Sequence, residues 1–227
     1  MKKLFALVDW NCFYASCERI FDPTLKWKAL VVLSNNDGCA VTRTDEAKAL
    51  WVKMWAPYYQ LVQEYWDKLI CKSSNYTLYW EISHRFHTLL WWYASWQEIY
   101  SIDESFLDFT YVKDVEHTSK QIYARCKRDL SLPVCVWVWS TKTRAKLANH
   151  LAKKNPEFNG RCNLETLPIE RQIQFMRMYD IWDVWWIGRR NKDRLNAMWI
   201  YSIYDLQQAD HRILKSLFSV VMAKTVL

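Results

Sequence analysis

Short apolar runs alternate with amphipathic stretches along residues 1–160 of the chain. Apolar runs of about four to eight residues that end in turn residues predict buried strands. We predict strands at residues 4–9, 29–34, 69–73, 97–102, 105–110 and 134–139. The intervening stretches repeat apolar residues at helical spacing, as at Ile82, Phe86 and Leu89. We predict helices at residues 12–20, 45–50, 57–66, 76–93, 115–130 and 142–154.

The pattern changes after Gly160, where short amphipathic segments follow one another without strands between them. We predict helices at residues 170–178, 191–198, 202–208 and 211–218. Mixed strands and helices followed by helices alone indicate an α+β domain and then a small helical domain. We therefore predict a domain boundary near residues 162–167, and a helical insertion at roughly residues 14–70 of the first domain.

The composition favours an intracellular protein with a polyanionic partner. A net charge of +7 and a pI of about 9.0 favour binding to nucleic acid. The seven cysteines include no CxxC pair and carry no zinc signature, and His84 and His87 are interpreted as structural. The odd number of cysteines and the lack of a secretory signal predict a reducing, cytoplasmic location. No stretch approaches the roughly 20 apolar residues of a membrane span, so we predict no membrane partner.

Three carboxylates lie at the ends of predicted strands. Asp103 and Glu104 are adjacent between two strands, and Asp9 follows the apolar run at residues 4–8. Adjacent carboxylates repel each other and stay ionised together only when a cation neutralises them. Mg²⁺ prefers hard oxygen ligands, especially where phosphates complete its shell. The pattern predicts a two-metal site for phosphoryl or nucleotidyl transfer. The alternative is a pair of solvated strand ends.

Six blocks of sequence in a fixed order carry a family resemblance. The first is DWNCFYASCE at residues 9–18, and the fifth is YSIDES at residues 100–105. The other four blocks are at residues 32–39, 46–50, 73–76 and 141–150. Together they resemble the Y-family translesion DNA polymerases of the bacterial UmuC type. The resemblance extends along the chain to about residues 220–227.

The resemblance implies a polymerase palm, an inserted fingers domain and a thumb. The palm corresponds to residues 1–13 and 71–164, and the helical fingers insertion to residues 14–70. Residues 165–227 correspond to a small all-helical thumb that contains a helix-hairpin-helix. The family continues into a fourth domain, the little finger, and we expect this chain to stop short of it.

The resemblance also implies roles at the metal site. Asp9 and Asp103 would bridge two Mg²⁺ ions, and Glu104 would complete the shell near the primer end. The backbone carbonyl of Trp10 would add one ligand. The alternative for Asp103 and Glu104 is a hairpin kept soluble by its charges.

Substrate contacts follow from the same resemblance. Tyr14 matches the steric gate of the family, a ring that excludes a 2′-hydroxyl, and Phe13 would support it; the alternative is two core aromatics. The residues expected to bind the triphosphate are Thr42, Arg43, Lys48 and Lys153. Those expected to bind DNA are Lys142, Arg144, Lys146, Gly188, Arg189 and Arg190. The alternative for each basic residue is an ordinary solvated side chain.

Tryptophan stands at many positions where the family has glycine. The chain has 15 Trp and 3 Gly, whereas average usage of roughly 7% would give about 16 Gly. Examples are Trp51, Trp55, Trp137, Trp139, Trp186 and Trp199. Glycine at such places supplies a positive φ or a close backbone approach. We expect backbone strain at these positions, and we expect Trp137 and Trp139 to push apart the elements that pack on their strand.

Three hypotheses follow. The first is the core of a template-directed DNA polymerase that uses primer-template DNA, deoxynucleoside triphosphates and accessory SOS subunits in DNA damage tolerance and repair. The second is a catalytically impaired, nucleic-acid-binding fragment of such a polymerase. The third is that the residue changes are artificial and that the chain is an altered copy of a polymerase fragment. Retention of Asp9, Asp103, Glu104 and Tyr14 favours the first hypothesis over the second.

Overall fold

The computed structural model describes residues 3–153, 158, 160–184, 187–210, 212, 214 and 218. Within them the strands are β1 (Phe5–Trp10), β2 (Leu30–Leu33), β3 (Ala40–Arg43), β4 (Ile70–Lys72), β5 (Gln97–Ile99), β6 (Glu104–Asp108), β7 (Val134–Trp139) and β8 (Arg161–Asn163). The helices are α1 (Phe13–Phe21), α2 (Asp45–Ala49), α3 (Tyr58–Tyr65), α4 (Tyr76–Leu90), α5 (Val115–Leu130), α6 (Lys142–Lys153), α7 (Ile169–Met178), α8 (Arg189–Asn196) and α9 (Ile203–Gln208).

The predicted α+β class is confirmed. Each predicted strand is present, and so is each predicted helix that falls within the described residues, with bounds that move by at most a few residues. The helix predicted at residues 211–218 lies outside the described residues, apart from three single positions. Local signals act as expected: the Thr44 side chain caps α2 by accepting a hydrogen bond from the backbone N–H of Ala47, at 3.3 Å.

Two strands were missed by the sequence pattern, and both depend on distant partners. Strand β3 pairs antiparallel with β2 across a register irregularity near Leu33. Strand β8 pairs parallel with β7. Both strands are short, so their own residues carry little periodic signal and the pairing partner determines the conformation.

The strands form two sheets. One has the order β5-β6-β1-β7-β8, and the other has the order β3-β2-β4. Strands β2 and β3 of the smaller sheet lie in the region predicted as a helical insertion, and β4 begins at its end. This sheet has its own core, in which Val31, Leu33, Ala47 and Leu61 are buried. The chain divides into two compact units. One contains Met1–Leu7, Phe106–Ser119 and Val136–Leu227, and the other contains Val8–Ser105 and Lys120–Cys135.

The structure bears out the expected strain at several tryptophans. The backbone is left-handed at Trp51 (φ 63°), Trp55 (φ 65°) and Trp199 (φ 63°). Two further tryptophans, Trp27 (φ 61°) and Trp66 (φ 39°), also have positive φ. Trp186 lies outside the described residues. Bulky residues rarely adopt this conformation.

Trp137 and Trp139 are both buried in β7, with about 1% of each exposed. Both side chains contact α6: the indole N–H of Trp137 donates to Asn149 Oδ1 at 2.8 Å, and the Arg144 guanidinium lies 5.5 Å from the Trp139 ring. The indole N–H of Trp139 has no hydrogen-bond partner among the described residues. A pocket of about 310 Å³, lined by Trp139, Leu147 and residues of α7 and α9, lies beside it.

Within the part of the chain that the structure describes, every helix is too short or too polar to cross a lipid bilayer.

Candidate active site

The carboxylates singled out in the sequence lie at the ends of two neighbouring strands. Asp9 is the penultimate residue of β1, and Glu104 is the first residue of β6. The two strands are adjacent in the five-stranded sheet. The backbone N–H of Trp10 donates to the carbonyl oxygen of Asp103 at 3.1 Å. The Asp9 side chain is buried, with 2% exposed. The fold thus places Asp9 beside Asp103 and Glu104.

The loop between β5 and β6 is held by its own hydrogen bonds. The backbone N–H groups of Tyr100 and Ser101 both donate to the Glu104 carbonyl, at 3.1 and 3.2 Å. The hydroxyl of Ser101 donates to Asp103 Oδ1 at 2.7 Å. This arrangement is a tight hairpin, and it fixes one carboxylate oxygen of Asp103.

The fit of a metal to this site depends on how many ligands the chain must supply. Among the described residues, no three His, Cys, Asp or Glu side chains are grouped closely enough to hold a metal ion by themselves. Mg²⁺ needs less from a protein, because it binds through one or two carboxylates, waters and substrate phosphates. A buried carboxylate at Asp9 beside the backbone of Asp103 fits a site that substrate completes.

Aromatic side chains form one wall next to the carboxylates. The Tyr14 ring stacks on Tyr79 with centroids 4.5 Å apart and meets Tyr76 edge-on at 6.0 Å. Phe13 is buried and contacts the Trp10 ring at 4.6 Å. Burial raises the pKa of Tyr14, and the charges of Tyr76 and Asp103 raise it further. The predicted gate residue is therefore half-buried and electrostatically coupled to Asp103.

Of the residues predicted to bind the triphosphate, Lys48 contacts Cys12, the residue before α1. Its ammonium group is 3.5 Å from Cys12 Sγ and 2.8 Å from Asp45 Oδ1. Burial lowers the pKa of Lys48, but the hydrogen bond to Asp45 and the neighbouring negative charge outweigh that effect, so the pKa is raised and the cation is kept.

The other predicted triphosphate ligands are placed differently. Thr42 is buried in β3 opposite Val32. Arg43 donates from Nη1 to the carbonyl of Val52 at 2.5 Å. The Lys153 side chain lies outside the described residues. The structure thus brings Lys48 close to Cys12. Thr42 instead lies within the smaller sheet, and Arg43 binds the loop beside that sheet.

Two basic residues of α6 lie against aromatic rings. The Lys142 ammonium is 6.0 Å from the Phe5 ring centroid and 5.7 Å from that of Phe106. The Arg144 guanidinium, besides facing Trp139, donates from Nη1 to Ser140 Oγ at 3.2 Å. Lys146 is partly exposed on the same helix.

Helix α8 begins at the predicted helix-hairpin-helix. Gly188 is its N-cap residue, and a Cβ placed there would meet no atom within 4 Å. Arg189 and Arg190 are exposed in the first turn, where backbone N–H groups and the helix dipole favour an anion. Lys192 instead binds Asp180 at 2.7 Å, and that hydrogen bond lowers the pKa of Asp180.

Sequence reasoning interpreted His87 as structural without identifying the hairpin that it supports, and it missed Ser83, which contacts the same hairpin from α4. The hydroxyl of Ser83 donates to the carbonyl of Ile102 at 2.6 Å. The His87 ring contacts both Ser101 and Ser105. The spacing of Ser83 and His87 places them on one helix face, but their partners are set by the fold, so no sequence signal was available.

Comparison with known protein families and sequences agrees with this geometry. The model of the impB/mucB/samB family matches residues 8–150. Protein UmuC of Salmonella typhimurium is 40% identical over 228 residues, which cover 98% of this chain and 54% of that protein. DNA polymerase IV 1 of Bacillus subtilis is 29% identical over 228 residues, with 94% and 51% covered. The chain thus spans about half the length of the curated relatives that it matches.

Solved structures show the same fold. An insertion ternary complex of Dbh DNA polymerase matches with a TM-score of 0.80 and 26% identity, over 98% of this chain and 65% of that one. DinB from Sulfolobus solfataricus matches with a TM-score of 0.75 and 26% identity, over the same shares.

Proposed function

The chain belongs to the impB/mucB/samB family, and from that premise we propose that it is the core of a template-directed DNA polymerase. The proposed activity is error-prone translesion synthesis in DNA damage tolerance, in the cytoplasm. Its substrates would be primer-template DNA and deoxynucleoside triphosphates. The supporting observation is the backbone hydrogen bond between Trp10 and Asp103, which joins the carboxylate-bearing ends of β1 and β6.

Asp9, Asp103, Glu104 and the carbonyl of Trp10 are the groups that would hold two Mg²⁺ ions. When bound, these ions would lower the pKa of the primer 3′-hydroxyl and stabilise negative charge on the α-phosphate. The sheet contributes by fixing the carboxylates before substrate arrives, so little reorganisation is needed during the reaction. Asp103 is further oriented by the Ser101 hydroxyl.

Tyr14 would lie under the sugar of the incoming nucleotide and exclude a 2′-hydroxyl. Its stacking on Tyr79 supports this role, because Tyr79 is buried and its hydroxyl donates to Glu18 Oε1 at 2.7 Å. A ring held in this way moves little. Phe13 would support the ring from the other side.

Charged groups on the remaining elements would contact phosphates. We propose that the triphosphate is bound by Lys48 and Lys153, with Thr42 and Arg43 nearby. The DNA backbone would be bound, without sequence preference, by Lys142, Arg144, Lys146, Gly188, Arg189 and Arg190. Accessory subunits of the SOS response would assist on damaged templates.

Primer extension with Mg²⁺ and deoxynucleotides tests the proposal. Replacing Asp103 by Asn keeps its size and removes one metal-binding charge, so extension should fall by about 10²-fold or more, which corresponds to several kcal/mol of transition-state stabilisation. Asp108→Asn is the matched control. Asp108 is the last residue of β6, the strand that follows Asp103, and it accepts from the Thr110 N–H at 2.8 Å, a bond that an Asn oxygen can keep. Equal activity of the two variants would contradict the proposal.

The second candidate function is a catalytically impaired nucleic-acid-binding fragment of such a polymerase. The left-handed tryptophans and the buried indoles of Trp137 and Trp139 favour it, because displacement of reacting groups by about 1 Å can cost roughly 10²-fold in rate. The same assay separates the two. A fragment of this kind would bind primer-template DNA and leave the primer unextended.

A further inference from the structure

A buried histidine contacts the catalytic hairpin from helix α4. The His87 side chain is 6% exposed. Its Nδ1 lies 3.1 Å from Ser105 Oγ, and its Nε2 lies 3.1 Å from the carbonyl oxygen of Ser101. One ring therefore touches the residues on both sides of the Asp103–Glu104 pair.

The hydrogen bonds determine the protonation of the ring. A carbonyl can only accept, so Nε2 carries the proton and donates to Ser101. Nδ1 then accepts from the Ser105 hydroxyl, whose oxygen in turn accepts from Gln97 Nε2 at 2.9 Å. Burial lowers the pKa of His87 to about 4, which keeps the neutral ring near neutral pH.

We propose that His87 is a positioning residue for nucleotidyl transfer: it holds the Ser101 carbonyl and thereby the Ser101 hydroxyl that orients Asp103. Ser83, one turn earlier on α4, holds the next carbonyl, that of Ile102. Two side chains of one rigid helix therefore fix the backbone on which the metal-binding carboxylate is mounted. This inference rests on the proposed function, because it takes Asp103 as a metal ligand.

Three variants separate the two contacts of the ring. His87→Leu fills a similar volume and removes both hydrogen bonds. His87→Gln can place an amide N–H where Nε2 lies and keep the bond to Ser101. His87→Asn can replace only Nδ1 and keep the bond to Ser105. Gln97→Met is the matched control, because it removes the bonds from Gln97 to Ser105 Oγ and to the His87 carbonyl and leaves the bond from the His87 ring to Ser101 intact.

The main measurement is the affinity for Mn²⁺, by electron paramagnetic resonance with a non-hydrolysable deoxynucleoside triphosphate. Groups that orient a metal ligand change affinity by about 10- to 100-fold, so we expect His87→Leu and His87→Asn to bind Mn²⁺ about 10-fold more weakly. His87→Gln and Gln97→Met should stay near the wild-type affinity. Wild-type affinity in a folded His87→Leu protein would overturn the proposal.

A second measurement needs no metal. The Trp10 amide donates to the Asp103 carbonyl, so its hydrogen exchange reports opening of the hairpin. Exchange should be faster in His87→Leu and normal in His87→Gln. If His87→Leu does not fold, Ser83→Ala removes one hydroxyl and should shift exchange in the same direction.

Absence of Asp103-dependent Mn²⁺ binding in the wild type would defeat the proposed function, whereas unchanged exchange in these variants would defeat only the role of His87.

A different observation concerns the five left-handed tryptophans. Among the described residues, the non-glycine positions with positive φ are Cys12, Trp27, Asn36, Asp37, Trp51, Trp55, Trp66, Ser131 and Trp199. Asn and Asp tolerate this conformation, whereas a bulky side chain is an outlier there. The five indoles are between 66% and 87% exposed. Because the side chains are exposed, no packing around them holds the backbone in this strained conformation.

Two of these tryptophans occupy the glycine position of a helix C-cap. After α2, the Val52 N–H donates to the Ala47 carbonyl and the Trp51 N–H to the Lys48 carbonyl. After α8, the Ile200 N–H donates to Leu195 and the Trp199 N–H to Asn196. This pair of bonds defines the Schellman motif, in which the residue corresponding to Trp51 or Trp199 is left-handed and usually glycine.

We propose that the native polypeptide carries glycine at residues 27, 51, 55, 66 and 199, because the cell that makes it reads the corresponding codons as glycine. The codon UGA is decoded as tryptophan in some genetic codes and as glycine in others. Reading this one codon as glycine would therefore replace tryptophan by glycine at all five positions. The proposal also reduces the imbalance between 3 Gly and 15 Trp in 227 residues, because glycine at these five positions gives 8 Gly and 10 Trp.

Peptide mass spectrometry of the protein isolated from its own cells tests this assignment. Peptides that span residues 51 and 199 should carry glycine at both positions. Tryptophan in those native peptides would overturn the proposal.

Discussion

At the scale of single residues, three sets of hydrogen bonds hold Asp103 and the loop before it. Its backbone is bound to β1 through Trp10, its carboxylate to the Ser101 hydroxyl, and the loop before it to His87. Its charge is also felt by Tyr14, whose pKa it helps to raise after the larger effects of burial and Tyr76. The Tyr14 side chain is therefore linked electrostatically to the proposed metal ligand.

We expect the Tyr14 ring to determine sugar selectivity. Tyr14→Ala should relax discrimination against ribonucleotides on the order of 10²-fold, because a small steric difference in a pocket is worth a few kcal/mol. Tyr14→Phe keeps the ring and is the matched control. The ratio of kcat/KM for a deoxynucleotide to that for its ribonucleotide measures the effect, and an unchanged ratio in Tyr14→Ala would refute the gate.

His87 should also make stability depend on pH. Its pKa falls from 6.5 in the unfolded chain to about 4 in the folded one. The unfolded chain therefore binds the proton first, and stability is lost as pH falls from about 6.5 through about 4, by about 3 kcal/mol in total. Urea unfolding between those pH values should show a shallower loss for His87→Gln than for the wild type. His84→Gln, exposed on the same helix, is the control, and equal slopes for both variants would count against this account.

At the scale of elements, the strain is concentrated where helices end. Trp51→Gly should raise the free energy of unfolding by about 1 kcal/mol, because relief of a left-handed bulky residue, worth roughly 1–3 kcal/mol, exceeds the entropy cost of glycine. Trp80→Gly is the matched control. Trp80 is similarly exposed but lies inside α4, where glycine should lower stability by about 0.5 kcal/mol. Chemical denaturation of both variants measures the sign of the change in the free energy of unfolding for each. Destabilisation by Trp51→Gly would contradict the argument.

The start of α8 should contribute a non-specific phosphate contact. Replacing both Arg189 and Arg190 by Ala should weaken binding to primer-template DNA. It should also reduce the slope of log affinity against log salt by about 0.9 for each duplex phosphate that the protein no longer neutralises. Lys127→Ala, at an exposed position on α5, should leave the slope unchanged. A slope that does not change in the double variant would exclude this surface.

Much of the element pattern could be predicted, and the exceptions have physical reasons. Buried strands such as β1 and β7 are long and apolar, so their own sequence identifies them. Strands β3 and β8 are short, and they exist because β2 and β7 offer hydrogen-bonding edges. The strain at Trp51 and Trp199 could also be predicted from sequence, because the position after a helix end is often left-handed and usually glycine.

At the scale of the whole molecule, the carboxylates could be found from sequence but their support could not. Asp9, Asp103 and Glu104 stand out as charges at the ends of apolar runs. The bonds from His87, Ser83 and Gln97 join residues whose proximity is a consequence of the fold. The same limit applies to Arg43, whose side chain binds the Val52 carbonyl.

The central claim is that the carboxylates on β1 and β6 form one metal site. Electron paramagnetic resonance of Mn²⁺, with primer-template DNA and a non-hydrolysable deoxynucleotide, tests it most directly. We predict two ions per chain with a spin-coupled signal, as expected for ions about 3.5–4 Å apart, and loss of that signal in Asp9→Asn but not in Asp108→Asn. A coupled signal that survives in Asp9→Asn, or no coupled signal in the wild type, would contradict the account.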